Sequence, residues 1–140
     1  MKNFQKISLI IITVFFVILL SYALISKAGT FGNFRTQLEQ APGIQQFGKI
    51  LAYSIIILQS LTIFLLCYQR SRLWGLWITF VMVTVFTGYI GFILLDSSNL
   101  PCTCIGLFEK MTWKDNLVLN IGLMITALTG IITMKAGKSK

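Results

Sequence analysis

Four long stretches free of Asp, Glu, Lys, Arg and His decide most of what this chain can become: residues 7–25, 50–68, 73–95 and 116–134. Each is close to the roughly 20 residues needed to cross the hydrocarbon of a bilayer. Lipid offers no water to an unpaired amide, so such runs must be helices or strands of a closed barrel. The runs show no alternation of apolar and polar residues, which decides for helices. The fold class expected is an all-α membrane protein, a four-transmembrane-helix bundle forming one domain over residues 1–140. Composition agrees: 56% of residues are hydrophobic and 11% charged, against about a quarter charged in an ordinary soluble domain.

The first run has the basic start of a signal peptide in Lys2 and Lys6, but it is longer than the usual apolar core of roughly 7–15 residues. Its cleavage-like contexts, Ser21-Tyr22-Ala23 and Ser26-Lys27-Ala28, are poor. A retained first helix is therefore expected.

With four crossings, Lys2, Lys6, Arg70, Arg72, Lys135, Lys138 and Lys140 fall on one side, without an acid among them. The other side carries Lys27, Arg35, Lys49, Lys110 and Lys114, offset by Glu39, Asp96, Glu109 and Asp115. The excess of basic residues marks the cytoplasmic side. Both termini are then cytoplasmic, and the segments 26–49 and 96–115 face outward. The net charge of +8 reads as a topology signal. Scattered over short loops and tails, it builds no face for nucleic acid.

The link 69–72 is so short that the second and third helices must form an antiparallel hairpin, with Trp74 and Trp77 at the inner interface and Trp113 at the outer one. In the first outer loop Phe31, Phe34 and Leu38 recur at i, i+3 and i+7, the pattern of a short amphipathic helix on the membrane surface. Pro42-Gly43 ends it. Thr112-Trp113-Lys114-Asp115 fits the capping pattern for the fourth helix. Within that helix Gly122, Thr126 and Gly130 make a small-residue stripe suited to close helix contact.

The chemistry is concentrated in Pro101-Cys102-Thr103-Cys104. Two thiols one residue apart on an outward face suit reversible disulfide chemistry. A ring closed between Cys102 and Cys104 is small and strained, which favours exchange with a partner over passive stapling. So short a loop contributes little as a structural cross-link. The rival reading is a pair of inert, buried thiols. A metal centre is not expected, since the chain has no His and a closed zinc site needs four ligands. Cys67, near the cytoplasmic end of the second helix, reads as a packed apolar residue.

Tyr22, Tyr53 and Tyr89 fall in the outer halves of their helices. Asn116 and Asn120 share one face of the fourth helix at i and i+4. Asn120, Tyr89 and Tyr53 are thus candidates to line a pocket for a flat redox cofactor such as a quinone beneath the thiols. The plainer reading makes the tyrosines an aromatic belt and the amides helix-to-helix glue. Gln59, in mid-membrane, is expected to hydrogen-bond another helix.

Phe34-Arg35-x-Gln37-Leu38-x-Gln40-x-Pro42, Pro101-Cys102-x-Cys104-x-Gly106 and Met111-x-Trp113-Lys114-x-x-Leu117-x-x-Asn120 together resemble the MauE/DoxX-type redox-associated membrane proteins over nearly the whole chain. The resemblance implies a multi-pass protein of the bacterial inner membrane. It also implies a periplasmic thioredoxin-like partner or a disulfide-containing client, in the setting of methylamine utilisation. The layout is similar to the vitamin K epoxide reductase bundle, which passes electrons to quinone. This chain departs from that bundle in having Cys-x-Cys rather than Cys-x-x-Cys, and no second outward pair. The function expected is a membrane thiol–disulfide oxidoreductase in which Cys102 and Cys104 are catalytic and support maturation of extracytoplasmic proteins. The alternative is a non-enzymatic membrane scaffold subunit of a partner complex.

Overall fold

The computed structural model describes residues 2–40, 43–95 and 113–139. Its helices are α1 (Lys2–Gly29), α2 (Phe31–Gln40), α3 (Gly48–Cys67), α4 (Arg72–Leu95) and α5 (Trp113–Lys138), with a short 3-10 turn Gln45–Phe47 leading into α3. Among the described residues, four helical spans are long and apolar enough to cross a membrane. They are α1, α3 with its leading turn, α4 and α5. The chain is a multi-pass, all-helical membrane protein.

The helices run past the apolar stretches that specify them. Backbone hydrogen bonding does not stop where hydrophobicity does, so α1 reaches back to Lys2 and forward to Gly29 rather than covering 7–25 alone. Lys27 therefore belongs to the last turn of α1 and not to a loop. Thr30 turns its hydroxyl back onto the Ser26 carbonyl at 2.9 Å, and α2 begins at once.

α2 carries its apolar stripe inward. Phe34 and Leu38 are buried and form a small core with Ala52 of α3. Gly43 adopts a φ of +86°, a left-handed conformation that only glycine takes without strain, and so reverses the chain towards α3. At Gly48 a Cβ would lie 2.7 Å from the Glu39 backbone nitrogen. α2 thus rests directly on the first turn of α3.

The α3–α4 hairpin is tight. Ser71 N–H donates to the Tyr68 carbonyl at 3.1 Å, and Gly75 N–H to the Ser71 carbonyl at 3.0 Å. A Cβ at Gly75 would stand 3.0 Å from Leu66, so the two helices touch almost backbone to side chain. α5 packs mainly on α4 and, on its other flank, on α1. There Gly130 is the close-approach point, 3.3 Å from Ile12 for a would-be Cβ. Gly122, in the same sequence stripe, faces open space, so the stripe is not one continuous contact. The main core joins Phe16, Leu66, Leu76, Leu123 and Ile131 from all four long helices.

Up-and-down connectivity brings the start of α1, the α3–α4 turn and the end of α5 to one end of the bundle. That end holds Lys2, Lys6, Arg70, Arg72, Lys135 and Lys138. The opposite end carries α2, the close of α4 at Leu95 and the start of α5 at Trp113. Asp115 lies in the first turn of α5, where a negative charge complements the helix dipole. Thr112 of the capping pattern, Pro42 and the side chain of Trp113 lie outside the described residues.

Candidate functional site

Cys102 and Cys104 lie outside the described residues. What is described is the floor from which their segment departs. The chain leaves α4 after Leu95 and re-enters the bundle at Trp113, so both thiols are tethered by short lengths of chain to the end opposite the basic cluster.

The interior at that end buries polar groups beside the apolar cluster of Phe34, Leu38 and Ala52. Lys27, Asn116 and Asn120 are 5%, 1% and 2% exposed, and Gln59, deeper, is 1% exposed. Helix registers bring the first three to similar depth. α1 and α5 run antiparallel past the Ile12–Gly130 contact. With equal rise per residue, Asn120 falls level with the turn holding Ala23 and Asn116 level with the turn holding Lys27. Gln59 Nε2 donates to the Leu20 carbonyl at 3.0 Å, the inter-helix bond expected of a lone mid-membrane amide. The same step of seven residues along α1 and α3 sets Lys27 level with Ala52, directly under α2.

The charge pattern alone puts Lys27 in an outward loop, whereas the structure buries it in the last turn of α1. Its ammonium lies 5.4 Å from the ring centroid of Phe34 on α2 and 5.6 Å from that of Phe86 on α4. Two aromatic faces replace part of its lost hydration. Among the described residues the one ion pair lies elsewhere, between Arg35 and Glu39 on α2 at 2.7 Å. The hydrogen bond and the charge of Glu39 raise the Arg35 pKa above its ordinary value. A buried cation is costly in a membrane protein, and such groups mark functional sites. The signal available in the sequence was a lysine in the same i, i+4, i+7 series as Phe16, Leu20 and Ala23.

Buried acceptors lie nearby. The Oε1 of Gln59 and the Oδ1 of Asn120 have no hydrogen-bond partner among the described residues. Each is an uncompensated polar atom in a region where such atoms cost about 1–3 kcal/mol.

The structure distributes the three residues read as cofactor-lining over different faces. Tyr89 lines an apolar groove of about 280 Å³ between α3 and α4, roofed by Leu38 and Ile44. Tyr53 does not line it. Half exposed, it packs against Phe31 of α2, with ring centroids 5.0 Å apart and planes tilted by 47°. Asn120 points into the bundle interior. Tyr22 is on the outside of α1. Cys67 is exposed at the basic end, which corrects its reading as a packed core residue: the bundle's inner surface at that level is already filled by Leu66.

The arrangement is a helical membrane frame that buries polar groups, one of them cationic, at the end where α4 closes and α5 begins. A family model described as methylamine utilisation protein MauE matches residues 5–133. The chain belongs to the MauE family. No curated protein and no solved structure gives a significant match. The matched range takes in α2, most of all four membrane-spanning helices and the Pro101-Cys102-Thr103-Cys104 stretch.

Proposed function

We propose that this MauE-family protein is a membrane thiol–disulfide exchange protein whose working groups are Cys102 and Cys104. The observation that carries the reading is the polar end of the bundle. The only buried cation among the described residues, Lys27, lies at the end to which both cysteines are tethered. A positive charge near a thiol favours the thiolate, the form that attacks disulfides.

The basic cluster at the opposite end supports a cytoplasmic location for the termini. α2 and the cysteine segment then face the periplasm of a bacterial inner membrane, with α2 at the interface. In the exchange step one thiolate attacks a sulfur of a partner's disulfide. The partner's S–S bond breaks and a mixed disulfide forms. The second thiol, after losing its proton to water, attacks the mixed disulfide and releases the partner as a dithiol. Cys102 and Cys104 are left oxidised, having supplied two electrons. Run backwards, the same steps oxidise the partner, and the direction follows the difference in potential. The partner class is a thioredoxin-like protein or a secreted client rich in disulfides. Methylamine utilisation is the physiological setting suggested by the family description.

Thiol trapping in intact membranes tests this. An impermeant alkylating reagent is expected to label the pair only after mild reduction, and Cys102→Ser with Cys104→Ser is expected to abolish client maturation. Full maturation in the double variant, with co-purifying partners unchanged, would replace this reading with that of a scaffold subunit.

A further inference from the structure

The basic end of the bundle holds a cavity that the thiol reading leaves unused. It has a volume of about 280 Å³ and lies between the first turns of α1 and the last turns of α5. Lys2, Gln5 and Lys6 line its rim, and Leu9 with Met134 its apolar floor. Lys2 and Lys6 are spaced i, i+4, so both ammonium groups serve one side of the helix. Gly137 forms part of the opposite wall, and a Cβ there would meet nothing within 4 Å. Neither basic residue in the last turn of α5, Lys135 or Lys138, lines the cavity, and the Lys135 ammonium sits 5.4 Å from the ring centroid of Trp77 on α4. No acidic residue occurs among residues 2–9 or 133–140 to neutralise the two rim lysines.

We propose that this cavity binds the head group of an anionic phospholipid, its phosphate held between Lys2 and Lys6 and its first acyl carbons lying against Leu9 and Met134. Three features select this occupant. The site is a concave junction of cationic rim and apolar floor, which is the profile of an amphiphile and not of a soluble anion. It lies where two membrane-spanning helices meet the interface, the place where basic pockets between such helices hold lipid head groups. The amide of Gln5 adds hydrogen-bonding capacity for glycerol hydroxyls without adding charge. The proposal concerns the end of the bundle remote from the cysteines and stands or falls independently of the exchange chemistry.

The test uses the full chain released from vesicles containing equal amounts of phosphatidylglycerol and phosphatidylcholine, examined by native mass spectrometry. Phosphatidylglycerol adducts are expected to exceed phosphatidylcholine adducts at least tenfold at the first bound lipid. Lys2→Gln with Lys6→Gln should erase that preference, as should Gly137→Ile, which fills the cavity without changing charge. Lys135→Gln with Lys138→Gln, of the same net charge as the first pair of substitutions, should retain it. Equal loss in both lysine pairs would overturn the proposal in favour of unspecific charge attraction. Displacement of the lipid by millimolar inorganic phosphate would overturn it in favour of a soluble-anion site.

Discussion

The two ends of this bundle are built on opposite terms. At the basic end the close approaches are between long helices, at Gly75 against Leu66 and at Gly130 against Ile12 and Leu76, whereas at the far end the close approach at Gly48 is to the short α2. The interior of the basic end is mostly hydrocarbon, with Leu66, Leu76 and Ile131, and the buried hydroxyls of Thr62 and Thr79 are turned back onto their own helices. At the far end an extra helix is laid over the bundle, and the interior admits a lysine and two asparagines. In lipid, close packing is what holds helices together, because apolar side chains gain nothing from leaving an equally apolar solvent. The basic end, where long helices close on one another, is therefore expected to carry more of the stability. The far end tolerates buried polarity that stability alone would remove, the usual mark of a region kept for chemistry.

Stability measurements on variants can break that contrast. Leu76→Ala should have the largest effect. It removes a fully buried side chain from the contact with Gly130 and should cost on the order of 3 kcal/mol, read as an earlier unfolding transition in a denaturing-detergent titration. Gly75→Val should follow at about 2 kcal/mol, because a branched side chain must displace Leu66.

A different sign is expected at the far end. Lys27→Met keeps the aliphatic stem and removes a buried charge, so the bundle should become more stable by about 1 kcal/mol even after losing two cation–π contacts. The same variant should slow alkylation of the Cys102–Cys104 pair at neutral pH severalfold, whereas Lys27→Arg should not. If Lys27→Met destabilised the bundle as strongly as Leu76→Ala, the division into a packing end and a chemical end would be wrong. Smallest of all, Arg35→Ala removes an exposed i, i+4 pair with Glu39 and should leave the transition where it was. A clear shift would mean that α2 is held from its polar face and not by Phe34 and Leu38.

Much of the frame was legible from charge-free runs alone, because a bilayer leaves the chain so few alternatives. The depth of a residue was legible too, but its direction around the helix axis was not. α3 and α4 are apolar on every side, so no polar face marks which side looks inward. Tyr53 and Asn116 share a depth, yet one looks outward and the other inward. Cys67 and Leu66 are neighbours in sequence and lie on opposite sides of that divide. Lys27 was hidden for a related reason. Hydropathy ends a membrane segment at the first charge, while the backbone continues its hydrogen bonds to Gly29 and the lysine stem packs among aromatic rings. Gln59 was legible because a lone amide in hydrocarbon has one way to be satisfied, by reaching another helix.

The junction at Gly48 has a consequence for how the protein is made. α2 leaves the ribosome before α3, yet the surface it rests on, Gly48 and Ala52, belongs to α3. α2 cannot dock as soon as it is made and must wait, as a tethered amphipathic helix, until the following span is in place. The short link from Gly43 to Phe47 then closes a step in assembly, and until α3 is in place Phe34 and Leu38 lack Ala52 to pack against.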